Sequence, residues 1–457
     1  MTSETTKQPK IELLKSSLFF LNTRHVLNNP ITFLGDVATQ YGPVVRINIA
    51  GKKYLILQDP EFIKHVLSDN HRGYDKFGIT KILRVFFGDG LVTSNGEMWI
   101  KKRRLIQPAF HIQRISHILN IINEETHDFI QTLNKLPSGS EVDISRAMLR
   151  LNVSIVNRAL FSNNDKKGME SLMFILEDLT NFATQWMKSI IKIPLIWPTP
   201  SNIKFHKNCQ AFDRIIYAMI NIRRRYKKEN IGPPHDDLLD MLLDDVDEES
   251  QTEMTDKQLR DDITTMFMAG HDTTAQTLSW ICYEIAKNKE ISNNLHQEAK
   301  DVLQDASLKL EDLSKLDYTN KVIKEGIRRY PSISAIQRRP IDDDVFKGIT
   351  FKKSNHLLIN IYGMHHNPSY WETPELFDPE RFTAVAEQKR PPFVYLPFGG
   401  GPRRCIGSNF AIMVMQVVVS SVLKNFEFEV PKCYQPVIVP NITIKPKDGI
   451  PLIMHKR

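Results

Sequence analysis

The densest reactive chemistry in this 457-residue chain lies in one loop near its C-terminus, Phe398-Gly399-Gly400-Gly401-Pro402-Arg403-Arg404-Cys405-Ile406-Gly407. Three glycines and a proline force a tight turn, and the apolar run Phe410–Leu423 that follows reads as a helix. A cysteine so placed sits near a helix N-terminus and beside two arginines, and both features favour thiolate over thiol. On the loop alone, a small buried hydrophobe is the plainer reading, and a redox-sensing thiol is a third, although no resolving cysteine lies nearby in sequence. A second unusual stretch is Ala269-Gly270-His271-Asp272-Thr273-Thr274. It falls in the middle of a long helical pattern, where glycine costs about 1 kcal/mol against alanine and Asp and Thr compete for backbone hydrogen bonds.

The elements that must position these residues are mostly helical. From about Glu61 to Leu303 the apolar residues recur at i, i+3 and i+4, with few β runs. Thr255-Asp-Lys-Gln258 is a capping box, and Leu259, Ile263, Met266, Phe267, Leu278, Ile281 and Ile285 line one face after it. No proline interrupts that pattern before Lys287, so a helix of roughly 48 Å is expected at about 1.5 Å per residue. Val44–Ile49 and Tyr54–Leu57 flank a short turn and read as a β-hairpin, with Lys52 and Tyr54 as hairpin surface. Asp236–Glu249 reads as an amphipathic helix with a solvated charged face, and Phe426–Met454 alternates enough for short strands. The fold class is therefore mainly α with small β-sheets.

Composition narrows the function classes. Hydrophobic residues are 41% and charged residues 25%, a globular balance that excludes disorder and a polytopic membrane protein. Sixty Lys+Arg against 53 Asp+Glu leave +7, too slight a surplus to argue for nucleic acid. Four cysteines without a CxxC pair speak against a disulfide scaffold and for a reducing compartment. The N-terminal run Ile11–Leu21 is short and contains Lys15, so no transmembrane anchor is expected, and a cytoplasmic location follows.

The cysteine loop resembles the Phe-x-x-Gly-x-Arg-x-Cys-x-Gly pattern of the cytochrome P-450 family, the haem-thiolate monooxygenases. Phe398, Gly401, Arg403, Cys405 and Gly407 fill all five fixed positions. Four further motifs resemble the family's in the same order: Trp99-x-x-x-Arg103, Ala269-Gly270-x-Asp272-Thr273-Thr274, Glu325-x-x-Arg328 and Pro379-Glu380-Arg381-Phe382. In isolation each has a bland reading, such as a cation–π pair for Trp99 and Arg103 or a surface pair for Glu325 and Arg328. Five in order do not arise by coincidence.

The resemblance implies one monooxygenase domain over residues 1–457, with an irregular polar segment at 1–25 and haem b (iron protoporphyrin IX) held between the long helix and the cysteine loop. Cys405 would be the axial ligand of the iron. Trp99, Arg103, Arg338 and Arg403 would meet the haem carboxylates, Arg338 rather than its neighbour Arg339. Ala269 and Gly270 would let haem approach the helix backbone, and Asp272 and Thr273 would relay protons to O2, the co-substrate. Glu325, Arg328 and Arg381 would scaffold the loop, and His365 resembles a position near haem. Residues after Gly407 are too few for a fused reductase, so electrons from NAD(P)H would arrive through a separate ferredoxin, flavodoxin or reductase. Lys101, Lys102, Arg104 and Arg404 are candidates for steering such a partner. Gly88–Ser94 resembles a segment of soluble bacterial fatty-acid hydroxylases, which would place Phe86, Phe87 and Val92 along the substrate path. A lipophilic substrate, a fatty acid or a terpenoid or sterol-like compound, and a monomeric enzyme are expected. The alternative from another class is a haem-binding sensor or sequestering protein without turnover.

Overall fold

The computed structural model describes residues 12–13, 29–49, 52–77, 80–110, 112–163, 165–189, 192–231, 237–244, 254–303, 307–440 and 442–457. The chain divides into two compact units. One comprises Met1–Lys81 and Ile327–Cys405, the other Ile82–Gly326 and Ile406–Arg457.

The first unit is built on a six-stranded sheet, in the order Glu12–Leu13, Val44–Ile49, Lys52–Leu57, His356–Asn360, Ala335–Pro340 and Tyr74–Asp75. The expected hairpin is present, and its second strand begins two residues earlier, with Ile49 opposite Lys52 and Val44 opposite Leu57. Side chains alternate between two buried faces, as the period of two requires. Val45, Ile47 and Ile56 meet Phe33, Leu34 and Val37 of the helix Pro30–Gln40. Val44, Leu55 and Leu57 join a larger core with Phe62, Trp371 and Phe382. Lys52 is exposed and the Tyr54 ring lies tilted against that of His356 with centroids 5.0 Å apart, so both belong to ordinary sheet surface. Of the N-terminal segment 1–25, only Glu12–Leu13 lies within the described residues, and it pairs in parallel with Val45–Arg46.

The second unit is helical. Its central helix, Asp256–Lys287, runs 32 residues without interruption, and both bonds of the capping box form: Gln258 N–H donates to Thr255 Oγ1 at 3.3 Å, and Thr255 N–H to Gln258 Oε1 at 2.9 Å. The helices Ile144–Phe161, Pro200–Glu229 and Ser408–Asn425 pack against it. Every residue from Leu259 to Met268 is buried, a pattern that only an all-round packed helix produces. Phe426–Glu429, Pro451–Lys456 and Ser140–Asp143 form a three-stranded sheet, and Ile438–Pro440 pairs with Ile444–Pro446 as a separate hairpin. The strands Ser140–Asp143 and Tyr74–Asp75 interrupt the otherwise helical stretch from Glu61 to Leu303.

The acidic stretch needs a correction. Its helix spans Leu238–Asp244 with Leu238, Leu239 and Leu242 buried as expected, and residues 245–249 lie outside the described ones. Asp237 and Asp240 are not solvated, however. Both are buried against Arg223, at 2.9 and 2.7 Å, and the same guanidinium donates to the Phe161 carbonyl at 2.9 Å. A cation on the helix Pro200–Glu229 turned part of the charged face inward. Among the described residues no helix is long and apolar enough to cross a membrane.

Candidate active site

In the first unit the cysteine loop is closed by its own backbone: Cys405 N–H donates to Phe398 O and Arg404 N–H to Gly401 O, each at 3.0 Å. Gly401 has a φ of +66°, and a Cβ there would lie 1.8 Å from the Leu67 carbonyl oxygen. Only glycine lets the loop sit this close to the turn His65–Asp69. Cys405 is exposed. Cys209 and Cys282 differ, because burial pushes both thiols up to about 12 and keeps them protonated.

Two arginines lie near one another in this unit. Burial first, and then the neighbouring Arg403, pulls the Arg338 guanidinium down to about 10, with Asp75 opposing. Arg403 is likewise pulled down to about 10 by burial, again opposed by Asp75. Two crowded, partly desolvated cations create a site that favours added negative charge, which is the complement of two haem carboxylates. Arg339 turns instead over the Phe77 ring at 4.9 Å, which separates it from Arg338.

Glu325 and Arg328, on the helix Asp317–Arg329, are both fully buried rather than a surface pair. Arg328 donates to the carbonyls of His365 and Pro374 at 2.8 Å and of Leu376 at 3.3 Å. Arg381 donates to the Thr373 carbonyl at 3.1 Å, so both arginines grip the segment Thr373–Leu376. His365 is completely buried, and its Nε2 accepts the Leu396 N–H at 2.9 Å. Burial holds the ring neutral, with its pKa well below the usual value. Its visible work is to hold the chain that enters the cysteine loop.

In the second unit the helix Gly96–Ile106 carries Trp99, which is buried, and Arg103, whose Nε donates to Gln107 Oε1 at 3.3 Å. Lys102 requires a correction. It does not join exposed Lys101 and Arg104 in a basic patch, because it is buried and ion-paired with Asp262 on the central helix. Asp262 also accepts the Leu91 N–H at 3.1 Å, and Asp261 accepts the Asp89 N–H at 3.0 Å. Between them Gly90 touches the central helix, since a Cβ would fall 2.0 Å from Thr265 Oγ1. The two aspartates thus pin the whole segment after Phe87.

Phe86 helps line a small apolar cavity of about 10 Å³, room for about one water molecule, together with Leu83, Leu179, Phe205 and Met268. Phe87 is buried elsewhere, with its ring 5.2 Å from that of Phe86, and neither it nor Val92 lines this cavity. Met268 immediately precedes Ala269, which is exposed in a helix otherwise almost wholly buried; Thr273, one turn on, is half-buried. Thr273 Oγ1 donates back to the Ala269 carbonyl at 2.9 Å. Gly270 also packs closely within the helix contact, where a Cβ would lie 3.3 Å from Val156 Cγ2. Accessible small residues at 269 and 273 fit the close approach of a flat prosthetic group.

Asp272 is buried and fully engaged. Its carboxylate receives Lys445 at 2.9 Å, Thr443 at 2.5 Å and Gln276 at 3.2 Å. Burial pushes its pKa up, but Lys445, His271 and Thr443 together outweigh that and hold it below the usual carboxylate value. Asn152 donates to the carbonyls of Gly270 at 2.9 Å and His271 at 2.5 Å, bracing the same turn from a neighbouring helix. Sequence reasoning missed Asn152, Thr443, Lys445 and the Asp261–Asp262 clamp. Only Lys102 left a local trace, since Trp99, Lys102 and Ile106 share one buried helix face.

A model of the Cytochrome P450 family matches residues 13–452. Protein LUTEIN DEFICIENT 5, chloroplastic, of Arabidopsis thaliana is 29% identical over 93% of this chain and 74% of its own length. Cytochrome P450 4F1 of Rattus norvegicus is 31% identical, and Leukotriene-B4 omega-hydroxylase 3 of Mus musculus 30%, each over 81% of this chain and 74% of the relative. With the cysteine loop, the buried arginines and the accessible mid-helix turn in place, the chain belongs to the cytochrome P450 family and is a haem-thiolate monooxygenase.

Proposed function

We propose that this enzyme inserts one oxygen atom of O2 into a C–H bond of a lipophilic small molecule, with electrons from a separate redox partner. The observation that supports the substrate class is the apolar lining of the small cavity beside Met268, which would have to widen to admit a lipid. Its one polar lining residue, Thr180, donates its hydroxyl to the Leu176 carbonyl at 3.0 Å, so the wall offers hydrocarbon rather than hydrogen bonds. The mouse relative is named for hydroxylating a leukotriene and the Arabidopsis one for lutein. Fatty-acid and terpenoid chains are therefore the classes to test.

Bound haem supplies the reductive activation of O2; the chain's residues prepare that chemistry. Cys405 would hold the iron through its thiolate, with Phe398 and Gly407 framing the loop. Arg338, Arg403, Trp99 and Arg103 would neutralise the haem carboxylates. Ala269 and Gly270 would border the ring, and Glu325, Arg328 and Arg381 would keep the loop in place. The ionised Asp272 carboxylate would take up protons only in transit and pass them towards Thr273 Oγ1, which must first leave the Ala269 carbonyl. Phe86 would contact substrate, while Phe87 and Val92 would shape the path behind it. Residues 1–457 would act as one domain and as a monomer in the cytoplasm, receiving NAD(P)H electrons through a ferredoxin, flavodoxin or reductase. Exposed Lys101, Arg104 and Arg404 remain the candidates for steering it.

The test is a panel of fatty acids and terpenoids added to the haem-loaded enzyme with a surrogate redox chain. Substrate-dependent NADPH oxidation with oxygenated product is expected for at least one class. Haem binding with no product from either class would favour the sequestering protein instead.

A further inference from the structure

Five consecutive carbonyls of the central helix each have a side-chain donor within hydrogen-bond distance. His271 Nδ1 lies 3.3 Å from the Phe267 carbonyl and 3.1 Å from that of Met268, so this nitrogen carries the ring hydrogen, since a carbonyl can only accept. Thr273 Oγ1 donates to Ala269 at 2.9 Å. The last two carbonyls, Gly270 and His271, are reached from another helix: Asn152, on Ile144–Phe161, donates to them at 2.9 and 2.5 Å. In an α-helix those two carbonyls serve the N–H groups of Thr274 and Ala275. A carbonyl shared with a side chain holds its helical partner more weakly, and helices bend where this occurs.

For holding two helices together, Asn152 is a poor choice. It is completely buried, and its Oδ1 has no hydrogen-bond partner among the described residues. A buried acceptor left in that state lowers stability, and an apolar residue of the same shape would avoid the penalty. The helix contact does not depend on the amide either. Gly270 already lets the two helices meet, because a Cβ there would lie 3.3 Å from Val156 Cγ2, and Val156 follows Asn152 by one turn on the same face. A polar group that packing does not require, aimed at the turn that carries Asp272 and Thr273, marks a role in function.

We propose that Asn152 is a positioning residue for proton delivery. Its amide draws the Gly270 and His271 carbonyls towards the helix Ile144–Phe161 and so keeps the turn Ala269–Thr273 loosened, which lets Thr273 Oγ1 exchange the Ala269 carbonyl for a partner in the site. Two donors on two successive carbonyls also fix the rotation of the helix, and with it the direction in which Asp272 and Thr273 face. Asn152 acts through these two residues and not on the substrate. This role rests on the proposed proton path and adds to it a residue from a second helix.

The experiment compares wild type with Asn152→Leu, both as the haem-loaded, full-length protein, by hydrogen exchange of the amides of residues 271–275 relative to those of 278–285 in the same helix. With the competing donor gone, the backbone bonds of the turn tighten, and exchange at 271–275 should slow about tenfold, the effect of one restored hydrogen bond. A mere brace predicts the reverse, so exchange that is faster or unchanged overturns the proposal. The second readout is product per NADPH, for whichever compound of the fatty-acid and terpenoid panel wild type oxidises. It should fall about tenfold in Asn152→Leu, with the CO spectrum and KM unchanged; an unchanged ratio overturns the proposal even if exchange slows. Asn152→Ala makes the same deletion with a smaller side chain and replaces Asn152→Leu if leucine does not fold. No product from wild type with any compound of the panel would mean failure of the monooxygenase reading and of this role with it, whereas failure of this role alone leaves wild-type turnover intact.

Discussion

Two buried carboxylates on one helix behave in opposite ways. Asp262, near the start of the central helix, pairs with Lys102, yet burial raises its pKa to about 6, helped by the charge of Asp261 next to it. Asp272, at the middle, pairs with Lys445 and is held below the usual value. Both are almost fully enclosed, and each has one lysine. The difference lies in the rest of the surroundings: Asp272 adds Thr443 and His271, whereas Asp262 faces a like charge. Burial sets the cost of ionisation, and the full set of neighbours decides whether it is met. Near one end the result is a clamp for the segment Gly88–Ser94; in the middle it is an ionised acid beside Thr273.

The largest effect expected from this contrast is on turnover. Asp272→Asn keeps the shape but removes the acid, so product formation should fall by about 10²- to 10⁴-fold while electron consumption continues. Measuring product per NADPH checks this; an unchanged ratio and rate would remove Asp272 from the proton path. Next comes Lys445→Met, which strands a buried carboxylate. A loss of about 3–5 kcal/mol in urea unfolding is expected, with the Asp272 pKa rising.

A smaller, pH-dependent effect belongs to Asp262. Its folded pKa of about 6 lies above the unfolded value near 4, so the folded state binds the extra proton between them. Its contribution is therefore complete below about pH 4 and is lost as pH rises towards about 6, amounting to about 3 kcal/mol. The stability difference between wild type and Asp262→Asn should shift by that amount across the window and stay flat above it. A flat difference throughout would mean that Lys102 fully compensates the charge.

What the sequence revealed about these regions follows the range of the interactions. The capping box at Thr255–Gln258 and the unbroken apolar face after it are local, and the helix Asp256–Lys287 matches them. The cysteine loop is equally local, because its glycines and its closing bonds lie within ten residues of one another. Thr443 and Lys445 reach Asp272 from the far end of the chain, and Asn152 reaches Gly270 across 118 residues, leaving no spacing to read. Lys102 was legible and misread: a charged residue on the face of Trp99 and Ile106 signals an ion pair inside, not a patch outside. Gly270 shows the same limit, since its small size serves Val156 as much as any ligand.

The central claim is that Cys405 holds haem iron as a thiolate. The most direct test is the absorption spectrum of the reduced protein with CO, for wild type and Cys405→Ala. A strongly red-shifted Soret band in wild type that disappears in the variant is the predicted result. A wild-type band like that of histidine-ligated haem, or one that survives in Cys405→Ala, would contradict the account.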